Sequence, residues 1–516
     1  MHTDDAQVSN KTNPDSPSVP RGILIDVRQV SWVPFLIIGL VLALATAIAL
    51  NYAKTSPLLL VLGGIIGLIL VVIILQKPEI GAYLIIFTVF TNLSDLFTEK
   101  GLPSINKPLV AIILLGIFAN LILRTGKLLP LPKFTRVEAA LAAYFLAVVA
   151  SSFVAQNQDR SINSVLDLAK DIAIGLAIYI TINIKEKWKS GINVLLFTVT
   201  FVSILGVFHT LTGSSQTFWG LAQESAFGQT SDSGELRYGG PIGESNIWGQ
   251  VLVSVLPIAL YRLAKAHSPQ SKFLAISATL FILSAMLFTQ SRGAFVALVL
   301  VLIFIAIDLR IKSTTLLAVA SIAIIFLFLV PSKYTGRLMS LDIFFQSKQE
   351  YGLAQDESVE GRREKMLTGL AMFAKNPFLG VGFANYSDNY WSYAGSLGLE
   401  SSARNVNSET TERQPHSLYI EIMAETGIFG IASFLAFLGL LLSGLYQTRT
   451  KINANQKNPD PDWPAWISSL MMSLFTFLVA GFFLHGIGFR FIWVLSGLAM
   501  AAIHLAPKQI YSIKHK

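Results

Sequence analysis

Apolar runs of about twenty residues recur along the chain, separated by polar stretches that are mostly short. A helix needs roughly 20 apolar residues to cross a hydrocarbon core about 30 Å thick. Runs of that kind fall near 32–50, 57–75, 79–98, 107–123, 137–154, 164–183, 193–212, 247–264, 272–289, 293–309, 314–331, 418–446, 464–484 and 490–506. They predict an all-α fold, a polytopic transmembrane helix bundle of about 14 spans. The run near 79–98 is the weakest, because Asn92, Asp95 and Glu99 make its end polar.

The charges between the runs give the bundle a direction. Arg124, Lys127, Lys185, Lys187, Lys189, Arg262, Lys265, Arg310, Lys312, Arg449 and Lys451 crowd one set of connections. The alternate set holds Lys54, Lys100, Lys107, Arg160, Arg292 and Arg490. Cytoplasmic connections carry the excess of Lys and Arg, which predicts both termini inside. Residues 1–30 then form a disordered cytoplasmic tail without a cleavable signal peptide. Residues 31–331 form a transmembrane bundle with an outer loop near 213–246. A large extracytoplasmic loop domain covers 332–417, C-terminal transmembrane helices cover 418–506, and 507–516 form a cytoplasmic tail.

Composition agrees with lipid as the main solvent: 53% of the 516 residues are hydrophobic and 14% charged, where a soluble domain carries about 25% charged residues. The net charge of +8 is accounted for by the cytoplasmic connections and does not point to nucleic acid. The absence of cysteine excludes disulfides, a thiol nucleophile and thiolate metal sites.

Loops as long as 213–246 and 332–417 are usually functional or disordered. In the second, 345–360 is acidic and polar. Arg362 to Lys375 has helical spacing, with Met366, Leu370 and Phe373 on one stripe, and Asn376-Pro377 stops that helix. Gly380-Val381-Gly382 makes a turn, followed by Phe383, Tyr386, Tyr390, Trp391 and Tyr393.

Three places could carry chemistry. In Ser291-Arg292-Gly293 an arginine stands at the outer end of an apolar run. Such a group snorkels to the interface or serves function, and its outer placement favours function. Arg362, with Arg363 and Lys365 beside it, opens the loop helix, where a cation opposes the helix dipole. His416 follows Pro415 just before the span near 418; an imidazole there can accept a proton at neutral pH, or serve as a helix cap. Asn246 caps the next helix or binds ligand, and capping is the simpler role. Asp167 and Lys170 share a helix face and can pair. Lys170, Tyr419, Glu425, His485 and Arg490 are candidates to line a wet cavity or a substrate site. Asp460-Pro461-Asp462 looks like a nucleotide-sugar metal motif, but it falls in a cytoplasmic loop opposite these charges.

The order of these pieces resembles the O-antigen ligase/polymerase superfamily of bacterial envelope glycosyltransferases. Ser-Arg-Gly ends one span, "GRREKMLTGLAMFAKNPFLGVGFANY" follows in a large outer loop, and "PHSLYIEIMAETGIFG" enters the next span. "GGPIGESNIWGQ" is similar to the family's Pro-Asn motif, with Ser245 in place of the proline. Met366 stands where the family commonly has Trp, and Ser417 where Asn often follows the histidine.

The resemblance, over roughly 200–500, implies transfer of a glycan from undecaprenyl pyrophosphate to a glycan or a lipid A-core-type acceptor, without metal or other cofactor. The reaction would take place on the periplasmic face of the bacterial inner membrane. It implies that Arg292 and Arg362 bind the pyrophosphate and that His416 is the base. Ligase and Wzy-type polysaccharide polymerase differ only in acceptor. A transporter is the other class, since cyanobacterial relatives with similar motifs are linked to bicarbonate uptake; broken helices and midplane charges would favour it.

Overall fold

The computed structural model describes residues 57–101, 104–122, 134–213, 216–225, 237–312, 314, 357–399, 413–454, 460–484 and 490–512. Fifteen α-helices carry the described chain: α1 (Pro57–Gln76), α2 (Pro78–Phe90), α3 (Leu93–Glu99), α4 (Asn106–Ile122), α5 (Arg136–Ser152), α6 (Gln158–Thr181), α7 (Lys185–Thr212), α8 (Ser245–Ala264), α9 (Pro269–Phe288), α10 (Arg292–Asp308), α11 (Glu357–Lys375), α12 (Tyr386–Ser396), α13 (Leu418–Ala454), α14 (Trp463–Ala480) and α15 (Phe491–Ser512). Two short antiparallel strands, Gln223–Glu224 and Tyr238–Gly240, depart from the all-α expectation within the first outer loop.

Twelve of the expected apolar runs coincide with helices; those near 32–50 and 314–331 lie outside the described residues. Five helices, α7, α8, α9, α13 and α14, are long and apolar enough to cross a membrane, and α2 with α3 makes a sixth if the bent pair is one span. Among the described residues, length and hydropathy alone therefore support five or six of the expected spans. Helices α5 and α10 have only 17 residues, and α6 carries Asp159, Arg160, Asp167, Lys170 and Asp171. The run near 79–98 is not one straight helix. It bends by 62° between α2 and α3, where Asn92 takes left-handed φ 50° and donates from its side-chain amide to the Pro241 carbonyl at 3.1 Å.

Lipid is as apolar as leucine, so helix association rests on close packing and buried hydrogen bonds. Helix α15 approaches α6 so closely that a Cβ on Gly175 would lie 2.7 Å from the Trp493 carbonyl oxygen. Trp493 stacks with Tyr144 at 6.3 Å and Phe437 at 6.1 Å between ring centroids, joining α5, α13 and α15. Trp188 is fully buried and donates its indole N–H to the Leu498 carbonyl at 2.8 Å.

Among the described residues, ion pairs and hydrogen bonds tie the connections together at two ends of the bundle. At one end Lys187 pairs with Glu79 at 3.1 Å, Lys185 with Asp460 at 2.6 Å, and Arg449 with Asp308. At the other, Arg490 pairs with Asp95 at 2.9 Å and the Asn157 N–H donates to the Asn385 side chain at 2.6 Å. The second end carries the loop helices α11 and α12. It holds every candidate site residue that lies among the described residues.

Candidate functional site

The Ser-Arg-Gly triplet has a separate physical task at each position. Ser291 is the N-cap of α10 and its hydroxyl accepts from Ala294 N. Arg292 is the first helical residue and only 7% exposed. Gly293 lets the turn after α14 press in, since a Cβ there would lie 2.7 Å from Phe483 Cβ. The preceding residue, Gln290, takes left-handed φ 50° to aim the chain into the helix.

A residue outside the sequence candidates holds that turn. Arg237, 7% exposed, donates from Nε to the Thr289 carbonyl at 3.0 Å. Its Nη2 reaches Asn246 Oδ1 at 3.0 Å and the Gln290 carbonyl at 3.5 Å. Asn246 in turn donates to Glu244 Oε1 at 3.1 Å. Asn246 is therefore not the cap of α8. Glu244 is, accepting from Ile247 N at 2.7 Å, because its longer side chain can fold back while Asn246 is held by Arg237. The available signal was that Arg237 is the lone basic residue of 213–246.

The loop helix α11 begins at Glu357, so Arg362 sits in its second turn and does not open it. The expected apolar stripe is also corrected. Leu370 is 42% exposed and Met366 half-buried, whereas Glu364, Thr368 and Met372 face inward. Small Gly369 sets that rotation, because a Cβ there would lie 2.5 Å from Ile420. Arg363 is exposed; Arg362 and Lys365, one turn apart, are half-buried.

Lys365 Nζ lies 3.3 Å from His416 Nε2. Burial, then the nearby charges of Arg413 and Arg362, push the Lys365 ammonium down to about 8. His416 adopts left-handed φ 51°, and two residues later Leu418 N donates to the Gly481 carbonyl at 2.8 Å and the Leu484 carbonyl at 2.7 Å. The 481–484 turn thus touches Gly293 beside Arg292 on one side and the His416–Leu418 segment on the other. Arg413 lies over the Trp391 ring at 5.3 Å. Tyr386 and Tyr390, each 2% exposed, belong to the small core of the loop domain and present no ring face to a sugar.

The remaining candidates fall in other places. The Tyr419 hydroxyl donates to the Leu478 carbonyl at 2.7 Å, and its ring packs on Phe482 at 4.4 Å. Lys170 pairs with Asp167 at 2.5 Å, as their shared face predicts, and Arg490 lies 3.3 Å from Asp171. Both cations line a cavity of about 220 Å³ together with Glu425. Glu425 also clamps the outer loop, accepting from Ala384 N at 2.9 Å and Tyr386 N at 3.1 Å. His485 lies outside the described residues. Asp460 and Asp462 are at the opposite end, engaged by Lys185 and His267.

Residues 277–435 match the family whose description is O-antigen ligase. The matched stretch contains Ser291-Arg292-Gly293, Arg362 and His416. No curated protein matches the chain. The match covers less than half of the chain, and among the described residues five helices are long and apolar enough to cross a membrane.

Proposed function

We propose, for a chain whose residues 277–435 match the O-antigen ligase family, that it moves a glycan from undecaprenyl pyrophosphate to a lipid or glycan acceptor on the periplasmic face of the inner membrane. One observation carries this reading: the 481–484 turn abuts both the Arg292 helix start and the His416 segment, and His416 touches Lys365 one turn from Arg362.

In the proposed step the acceptor hydroxyl oxygen bonds to the anomeric carbon. The bond from that carbon to the phosphate oxygen breaks, and undecaprenyl pyrophosphate departs with the electron pair. Arg292 and Arg362 face the negative charge growing on the leaving group; guanidinium stays charged and can bind two phosphate oxygens at once. Preorganised cations in a dry site stabilise a developing charge more than water would. His416 takes the acceptor proton. A neutral imidazole has a single ring nitrogen with a lone pair, so in this step the 3.3 Å contact between Lys365 Nζ and His416 Nε2 gives way to the acceptor hydroxyl.

Transport is a second reading, supported by the 62° break between α2 and α3 and by charged groups within helices. Both cations of the polar cavity are already paired with carboxyl groups, Lys170 with Asp167 and Arg490 with Asp171, which disfavours a small anion such as bicarbonate. The test is Arg292→Ala, Arg362→Ala and His416→Ala in a strain lacking the chromosomal gene, with surface glycans run on a gel. All three proteins are expected in the membrane fraction without transfer. Lost attachment with intact free polymer marks a ligase, and single-unit products mark a polymerase. Full transfer by all three variants defeats the proposal, and unchanged glycans with impaired inorganic carbon uptake favour transport.

A further inference from the structure

The cavity beside the arginine–histidine site has a different chemistry. It is lined by Asp167, Lys170 and Asp171 of α6, Glu421 and Glu425 of α13, and Arg490, with Ser164 at its edge and Phe383 and Ala384 against it. Asp171 is 3% exposed; Arg490 Nε lies 3.3 Å away, yet Asp171 Oδ1 accepts no hydrogen bond. Both carboxylate oxygens of Glu425 already take backbone N–H groups, but a carboxylate has about four acceptor positions. The pocket is therefore rich in acceptors, and the buried Asp171 Oδ1 is ion-paired to Arg490 and, at 4.0 Å, to Lys170 without a hydrogen bond of its own.

Charge and size narrow the ligand. Both cations are already engaged by carboxyl groups within the cavity, Lys170 by Asp167 and Arg490 by Asp171, which leaves neither to hold a diphosphate. No group of three His, Asp or Glu able to hold a metal ion occurs among the described residues. The volume of about 220 Å³ is below the roughly 300–1,000 Å³ of drug-sized pockets and suits a single sugar ring. A ring's hydroxyls are donors that match inward-facing carboxylates. Glu421 N donates to the Ser417 carbonyl at 2.9 Å, which places Glu421 one turn from the residue after His416, and Glu425 follows four residues later on the same face of α13.

We propose that this cavity is a sugar-binding subsite that holds one uncharged or amino-bearing ring of the acceptor beside His416. The word acceptor rests on the transfer reading above; the sugar site itself does not. The donor's pyrophosphate then occupies the arginine side, and the two substrates are sorted by charge.

The native chain has no cysteine, so Ser164→Cys places a single thiol at the cavity. The full-length variant in lipid nanodiscs is labelled with a small maleimide and followed by mass spectrometry. The probes are the methyl glycosides of glucose, galactose, N-acetylglucosamine and glucosamine, and undecaprenyl pyrophosphate alone. At least one glycoside, near saturation, is expected to slow labelling about tenfold, and undecaprenyl pyrophosphate is not. Adding Asp167→Asn and Glu421→Gln should abolish protection while the thiol still labels. A thiol that does not label, protection by no glycoside, or protection by undecaprenyl pyrophosphate overturns the proposal. Labelling does not depend on turnover, so protection in an Arg292→Ala background separates failure of this site from failure of transfer.

Discussion

Lys365 Nζ sits 3.3 Å from His416 Nε2, so the loop helix and the segment entering α13 meet through their two ionisable groups. Burial, with Arg413 and Arg362 nearby, lowers the ammonium from its usual value to about 8. The sign of its effect on stability follows. Below pH 8 both folded and unfolded chains hold the proton, and the buried charge costs a constant amount. Between pH 8 and the unfolded value of 10.5 the folded chain loses its proton first, so the penalty is relieved as pH rises. Lys365→Met should remove that penalty, on the order of 3 kcal/mol as an upper bound. Thermal unfolding of both proteins at pH 7 and pH 10 checks it: the gap between them should narrow at the higher pH. In transfer assays the wild type should lose activity as pH rises through about 8, and Lys365→Arg should carry that limb higher.

Gly427 breaks α13 with φ 64° and ψ −161°. The outer loop uses the break: Ile428 N donates to the Pro377 carbonyl at 2.8 Å, and Val381 N to the Ala424 carbonyl at 2.9 Å. A Cβ at 427 would lie 2.2 Å from the Phe378 carbonyl oxygen. Gly427→Ala combines a disfavoured backbone with a backbone clash, each costing about 1–3 kcal/mol. The expected result is a large drop in thermal midpoint. An unchanged midpoint would mean that the break is not held as described.

Gly293→Ala puts a Cβ against Phe483 Cβ, which cannot swing aside without moving the 481–484 turn. That turn also receives the Leu418 N–H, so the Arg292 and His416 segments should be displaced together. Transfer should fall by about tenfold or more, in line with the sensitivity of catalysis to small misplacements. Phe483→Gly should recover part of the loss in the double variant. A double-mutant cycle with no coupling energy would separate the two sides of the site.

Arg237 is held by two backbone carbonyls and Asn246. Arg237→Ala strands these acceptors in a buried place, at about 1–3 kcal/mol for each group left without a partner. Lower thermal stability and lost transfer are expected together. Arg237→Lys should retain part of both, because one ammonium cannot span the carbonyls and Asn246 in the same fork geometry.

The helices were legible because hydropathy repeats at the thickness of a bilayer. Ser291-Arg292-Gly293 and His416 were legible as local patterns beside apolar runs. The bend at Asn92, the inward polar face of α11 and the Arg237 network were not, for a common reason. Each depends on a partner distant in sequence: Asn92 on Pro241, Gly369 on Ile420, and Arg237 on Thr289. The Glu244 cap was missed because Asn is the stronger intrinsic cap, and Arg237 claims the Asn246 side chain.

Asp460 tests whether an Asp-x-Asp pattern can be structural in this chain. Its Oδ2 meets Lys185 Nζ at 2.6 Å and also Lys189, while the Lys189 ammonium lies 5.4 Å from the Trp466 ring centroid. Burial raises the carboxyl, but hydrogen bonds from Lys185 and Lys189 outweigh it and hold it below the usual range. Its stabilisation is therefore complete at neutral pH and is lost as pH falls through that lowered value. Asp460→Asn keeps the shape and removes the charge. It should cost about 1–3 kcal/mol, as for a hydrogen bond to a charged group. Thermal unfolding of wild type and variant should differ at pH 7 and converge in acid. Glycan transfer below the unfolding temperature should stay near wild type, because the arginine–histidine site is at the other end of the bundle. If Asp460→Asn instead abolished transfer in a folded protein, and added divalent metal restored it, the two aspartates would be ligands and the active end of the molecule would have to be reassigned.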